Sequence, residues 1–301
     1  MGHHHDHGHD HGHQGAFRWS VILNALLTGV QLAIGFGFGS LALIGDALHN
    51  LGDVLGLLLA WGAERLSARP AQGRFTYGFG RSSHLAALTN GLLVFGAGLL
   101  VVVEGVERLQ DPEPLVPGPV ALAAAAGIVI NLLSVRLFGG HQHLDLNRRA
   151  AVLHLLSDAA VSAAVLISAL LVAFTGWAVL DAITAIAVGL AVMVSAWGLL
   201  KQSLAANLDA APEGMDPELI ERALLELPGV RKVAQLHIWG LGGQRVALTA
   251  HLLCDGDQPS PAEALLRAAE ARVQAMGIAK TTFQIEPFGN PLPDRANGRS
   301  D

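Results

Sequence analysis

Six apolar stretches, near residues 17–39, 41–64, 83–108, 117–138, 150–174 and 179–200, approach or exceed the ~20 helical residues that cross a hydrocarbon core of ~30 Å. Within lipid a backbone has to satisfy its own hydrogen bonds, so runs of this length and apolarity fold as helices. Only 15% of the 301 residues are charged and 51% are hydrophobic, too little charge to clothe a soluble domain of this size. The chain therefore reads as a membrane protein whose partner along most of its length is the lipid bilayer. Gly39-Ser40 joins the first two spans almost without a loop, whereas Asp111-Pro112-Glu113-Pro114 and Thr175-Gly176 are clear breaks.

Lys and Arg set the orientation. With six spans, Arg18, Arg65, Arg69, Arg74, Arg81, Arg136, Arg148, Arg149 and Lys201 fall on one side and Arg108 alone on the other, which makes both termini cytoplasmic. Trp19, Trp61, Trp177 and Trp197 lie toward span ends, where indoles favour the interface. The net charge of -6 gives no basic surface for nucleic acid. A single cysteine, Cys254, excludes an internal disulfide and any Cys-rich metal site. Metal ligation is left to His and carboxylates.

Seven of the 14 histidines stand in the first thirteen residues, interleaved with Asp and Gly, unlike the unbroken run of a purification tag. Residues 1–16 read as a His-rich cytoplasmic tail that attracts metal, with no signal-peptide pattern. The transmembrane domain occupies 17–204, a soluble cytoplasmic domain 205–288, and a tail 289–301. In the soluble part Asp216-Pro217 and Ser260-Pro261 each place a capping side chain before a proline, and Glu263 completes a capping box with Ser260. Val233–Ile238, Val246–Leu253 and Thr281–Glu286 read as strands, giving the order α-β-β-α-β of a small α+β sandwich.

The chemistry concentrates in two copies of His-x-x-x-Asp. The second span carries Asp46-Ala-Leu-His49-Asn-Leu-Gly-Asp53 and the fifth carries His154-Leu-Leu-Ser-Asp158. Residues four apart share one helical face, so each motif aims an imidazole and a carboxylate at the same neighbour. His49, Asp53, His154 and Asp158 together supply two nitrogens and two oxygens, a set suited to tetrahedral Zn²⁺, whereas Ca²⁺ and Mg²⁺ prefer more oxygen ligands. Cd²⁺ and Co²⁺ fit the same donors. The alternative, polar residues that merely staple two helices, has to meet the cost of ionisable groups at membrane depth twice, ~2.5–3.5 kcal/mol for each Asp. A site without thiolate can release its ion, and His and Asp exchange metal for protons, so the quartet suits a carrier that antiports Zn²⁺ and H⁺.

In this order and spacing the chain resembles the cation diffusion facilitator family, in its zinc-transporting branch of bacterial zinc, cadmium and cobalt efflux proteins. The resemblance rests on Ser40-Leu-Ala-Leu-Ile-Gly-Asp46-Ala-Leu-His49-Asn-Leu-Gly-Asp53, Tyr77-Gly-Phe-Gly-Arg81, Asn147-Arg-Arg-Ala-Ala-Val-Leu-His154-Leu-Leu-Ser-Asp158 and Leu236-His237-Ile-Trp239, and spans nearly the whole chain. It implies a homodimer, six spans with the transport site between the second and fifth, and a metallochaperone-like, ferredoxin-like cytoplasmic domain that dimerises; the compact length and the lack of a transit-peptide pattern point to a bacterial inner membrane. It implies Zn²⁺/H⁺ exchange by alternating access, and no enzymatic activity. It also implies regulatory zinc at His237, His251 and Glu286, although the C-terminal Cys pair of such relatives is missing here.

The remaining polar residues take lesser roles. His141 and His143, near Asp145 in the loop before the fifth span, are placed to collect metal, or are simply solvated. Asp46 stands behind the ligands as their hydrogen-bond or proton partner, since four ligands already fill a tetrahedron. Gln31 and Asn131 read as interhelical hydrogen bonders, His84 as structural, and Glu104, Glu107 and Asp181 as exposed at the interface. Two other functions compete with transport: a membrane-embedded zinc hydrolase, which lacks His-Glu-x-x-His, and a membrane zinc sensor, which would bind metal without moving it.

Overall fold

The computed structural model describes residues 10–138, 146–243, 245–255 and 262–288. Six long helices come first: α1 (Asp10–Phe38), α2 (Leu41–Ser67), α3 (Ser82–Gln110), α4 (Pro117–Phe138), α5 (Leu146–Thr175) and α6 (Val179–Asn207). A smaller set follows: α7 (Pro217–Leu225), β1 (Val230–Gly242), β2 (Arg245–Cys254), α8 (Ala262–Ala275) and β3 (Lys280–Pro287). The fold is a helical membrane domain followed by an α-β-β-α-β domain, as the sequence patterns predict.

Helices α2 to α6 are each long and apolar enough to cross a membrane. Helix α1, at 29 residues, is as long as α3 and α6. Helix α1 starts at Asp10, inside the segment read as a tail, so His11 and His13 stand in its first turns while residues 1–9 lie outside the described residues.

The helices divide into two compact units, with breaks after Leu59, Leu88 and Leu200. In the first, Ala42 and Leu43 of α2, Val101 of α3, Val120 and Ala124 of α4, Val165 of α5 and Val188 of α6 form one buried core. Helices α3 and α6 cross where both lack a side chain: a Cβ on Gly98 would come 2.9 Å from the Gly189 carbonyl oxygen, and one on Gly189 equally close to that of Gly98. The two backbones pack directly on each other.

The α1–α2 junction is tied from two sides. Gly39 has a φ of +80°, and Arg108 on α3 donates from Nη1 to its carbonyl oxygen at 2.9 Å. Asp181, in the first turn of α6, accepts from Ser40 Oγ at 2.6 Å and from the backbone N–H groups of Leu41 at 2.7 Å and Ala42 at 3.3 Å. These are the orphan donors at the start of α2, so a carboxylate from another helix caps it. Asp181 is buried at 4% exposure, which corrects the expectation of an exposed interfacial residue. Its cap partners lie far away in sequence, where span-end position alone gives no hint of them. Glu104 does lie at the surface side, paired with Arg108 at 3.0 Å, and Glu107 is exposed.

The second unit contains the three-stranded sheet, in the order β1-β2-β3, with β1–β2 antiparallel and β2–β3 parallel. The parallel step needs a crossover, which α8 supplies. Asp216 caps α7, accepting from the Glu218 N–H at 2.9 Å with Pro217 at the first position. Ile220 and Leu224 of α7, Leu265 and Val273 of α8 and Leu248 and Leu252 of β2 are buried together. In the same unit Arg81 pairs with Asp209, a residue held at φ +61°.

Candidate metal centre

The two His-x-x-x-Asp motifs meet. His49 Nε2 lies 3.2 Å from Asp158 Oδ1, and His154 Nε2 lies 3.2 Å from Asp53 Oδ2 and 3.6 Å from Asp158 Oδ2. The imidazole rings stand edge to face with centroids 6.0 Å apart. Position 49 pairs with 158 and position 53 with 154, so α2 and α5 run antiparallel here. One motif repeated on antiparallel helices puts a His opposite an Asp at both levels, which is why the same spacing serves both helices.

The distances have a chemical meaning. Zn²⁺ holds His nitrogen and carboxylate oxygen at ~2.0–2.2 Å, and the edge of a tetrahedron with such bonds is ~3.3–3.6 Å. Three of the six separations among the four residues, at 3.2, 3.2 and 3.6 Å, are of that size. The ligand atoms of His49, Asp53 and Asp158 all lie within 4.8 Å of one another. Without metal, the two 3.2 Å distances are those of imidazole N–H groups donating to carboxylates, so a proton and a metal ion compete for the same nitrogen lone pairs.

Access differs between the two levels. The side chains of His49 and Asp158 are 12% and 5% exposed, while those of His154 and Asp53 are 48% and 39% exposed. The cluster has an open end at His154–Asp53 and a closed end at His49–Asp158. On α2 the faces divide: a Cβ on Gly56 would press on Asn90, and one on Gly52 on Val94, so α2 lies close to α3 while its His and Asp reach α5.

Beyond the closed end lies a buried polar network. Asp46 Oδ2 accepts from Ser162 Oγ at 2.8 Å and Gln31 Nε2 at 3.1 Å, and Asn50 Nδ2 donates to Gln31 Oε1 at 3.4 Å. Asp46, Gln31 and Ser162 are fully buried, and Asp46 Oδ1 has no partner among the described residues. Gln31 makes the interhelical bonds expected of it. Ser162 and Asn50 escaped the sequence reading, although Ser162 lies one turn beyond Asp158 on the same face and could have been found by extending that periodicity. Asn131 is buried, but its Nδ2 has no hydrogen-bond partner among the described residues, so the interhelical bond expected of it is not seen there.

In the second unit His251 Nδ1 lies 2.9 Å from Glu286 Oε1, which also accepts from Gln284 Nε2 at 2.6 Å. His237 is exposed, sits opposite Thr249 on β1 and lines a cleft of about 530 Å³ with Asp209 and Trp239. Among the described residues no contact joins it to the His251–Glu286 pair. His141 and His143 lie outside the described residues. His84 packs against Gly240, and its carbonyl oxygen accepts from Asn207 Nδ2 at 3.2 Å.

Two family matches now bear on this geometry. Residues 18–206 match the cation efflux transmembrane domain, and residues 212–288 match the cytoplasmic domain of cation efflux proteins. The chain belongs to the cation efflux family. Among its relatives in this family, the cation efflux system protein CzcD of Alcaligenes sp. is 34% identical, with 95% of this chain and 90% of that protein covered. The zinc transporter ZitB of Escherichia coli is 40% identical over 74% of this chain and 72% of its own length. The cadmium, cobalt and zinc/H(+)-K(+) antiporter of Bacillus subtilis is 30% identical, with 95% and 92% covered. A cation efflux protein is a transporter and not an enzyme, so the hydrolase reading falls.

Proposed function

We propose that the chain exports Zn²⁺ from the cytoplasm in exchange for protons, through a transport site made of His49, Asp53, His154 and Asp158. One observation carries the reading: two imidazoles and two carboxylates from antiparallel membrane helices converge, with His–Asp separations of 3.2, 3.2 and 3.6 Å. In the protonated state the imidazoles donate to the carboxylates and the helices are held by His–Asp bonds. Zn²⁺ arriving at the open end displaces those protons. Re-protonation from the far side restores the His–Asp bonds and expels the ion. Cd²⁺ and Co²⁺ accept the same donors, in keeping with the ions named for the Bacillus subtilis relative.

The protein works as a homodimer in a bacterial inner membrane with both termini cytoplasmic, a reading supported by the Arg and Lys distribution and the bacterial relatives. His251 and Glu286 offer two adjacent donors to a regulatory zinc, while His237 stands apart from them and would bind metal only separately. The test is zinc flux in proteoliposomes. Asp53→Ala and Asp158→Ala are each expected to lower transport by at least ~100-fold, more than the loss from a group that only supports a ligand. Normal flux in either variant would remove these residues from the transport site. Bound zinc without flux in the wild type would make the protein a sensor.

A further inference from the structure

The last turn of α2 carries Arg65 and the segment joining α2 to α3 carries Arg69, Arg74 and Arg81, with no acidic residue between the first and the last. Arg65 lies 3.9 Å over the Trp61 ring and Arg81 pairs with Asp209. Arg69 has no carboxylate partner among the described residues. It lines a cleft of about 570 Å³ together with Ser67, Tyr77, Arg245 at the start of β2 and Lys280 at the start of β3. Arg245 and Lys280 also form no salt bridge among the described residues, and the Lys280 ammonium sits 4.6 Å from the centre of the Tyr77 ring.

None of the described residues lining this cleft is acidic. Three cations from three segments therefore converge without a counter-charge, and such a concavity focuses a positive field on whatever enters it. The walls are fixed by backbone. A Cβ on Gly80 would strike the Leu241 carbonyl oxygen, and one on Gly242 that of Gly80, so the loop and the β1–β2 hairpin meet with no side chain between them.

Depth and composition indicate what anion belongs here. Ser67 is the last residue of α2, a membrane-crossing helix, and Arg69 follows two residues later, so the cleft opens where the chain leaves the hydrocarbon. Phe75 and Tyr77 on the same loop are 57% and 49% exposed, and Phe75 packs on Phe79 at 4.6 Å between ring centroids. Exposed aromatics beside arginines at a span end suit the headgroup level of a bilayer. Arg matches the paired oxygens of a phosphodiester, and Lys adds a point charge.

We propose that this cleft binds the headgroup of an anionic phospholipid, with Arg69, Arg245 and Lys280 around the phosphate and Phe75 and Tyr77 at the acyl boundary. A lipid held there ties the α2–α3 loop to the starts of β2 and β3. Basic clefts beside membrane helices are a general solution for anionic headgroups.

Full-length protein in nanodiscs provides the test, with retention of bound lipid read by native mass spectrometry and the unfolding midpoint read in parallel. Phosphatidylglycerol added to a phosphatidylcholine background is expected to be retained and to raise the midpoint, while inorganic phosphate does neither. Arg69→Gln/Arg245→Gln/Lys280→Gln is expected to weaken retention by about 100-fold, the combined effect of three cations at a membrane surface. Arg222→Gln/Arg267→Gln/Arg272→Gln, with equal charge loss on α7 and α8, should retain lipid as the wild type does. Should the first triple variant fail to fold, Arg245→Gln alone, at an exposed residue, is expected to weaken retention several-fold. Wild-type retention in the cleft variants, equal loss in the α7/α8 variant, or equal stabilisation by inorganic phosphate would each overturn the proposal.

Discussion

At the residue scale the four candidate ligands differ in setting although they repeat one motif. Asp158 meets both imidazoles, at 3.2 and 3.6 Å, whereas Asp53 meets only His154. Asp158→Asn keeps the shape and removes an anionic oxygen from two imidazole contacts, so zinc affinity measured by titration in detergent is expected to fall further than in Asp53→Asn. The His and Asp positions were legible in the sequence because i, i+4 spacing survives any helix packing. Asp181 was not, because its partners are the first N–H groups of α2, about 140 residues away, and no local pattern records them. Removing its charge in Asp181→Asn trades charge-assisted bonds for neutral ones, with an expected loss of about 1–3 kcal/mol, read as a lower unfolding temperature in detergent.

Among elements, the α3–α6 contact and the soluble domain lend themselves to separate tests. Gly189→Leu forces a side chain into the backbone of α3, and overpacking of this kind costs about 1–3 kcal/mol. Lower thermal stability is expected, and an unchanged melting curve would show that the helices part easily there. In the soluble domain Cys254 is buried at the end of β2, where desolvation, together with the neighbouring Asp255, pushes its thiol above the ordinary range. A raised thiol pKa leaves less thiolate at any given pH, so maleimide labelling near pH 7.5 is expected to be slow in the native protein and fast after unfolding. Fast native labelling would contradict the packing of β2. The order α-β-β-α-β was readable from caps and alternation, Asp216-Pro217 above all. The parallel pairing of β3 with β2 was not, because strand order depends on which edge α8 returns the chain to.

For the whole molecule, hydropathy located the six long helices. Sequence spacing could say that α2 and α5 each present a His and an Asp to a neighbour. That they face each other, antiparallel and with one level buried, depends on how all the helices pack. Deleting residues 2–13, with their seven histidines, is expected to raise the zinc concentration needed for half-maximal flux while leaving the maximum nearly intact, since the tail concentrates ions rather than carrying them. The central claim is that one cluster exchanges zinc for protons. Simultaneous recording of zinc and lumenal pH in proteoliposomes with an acidic interior addresses it most directly. Zinc uptake accompanied by lumenal alkalinisation, with both lost in Asp158→Ala, is the predicted result. Zinc uptake that moves no protons, or that persists in Asp158→Ala, would contradict it.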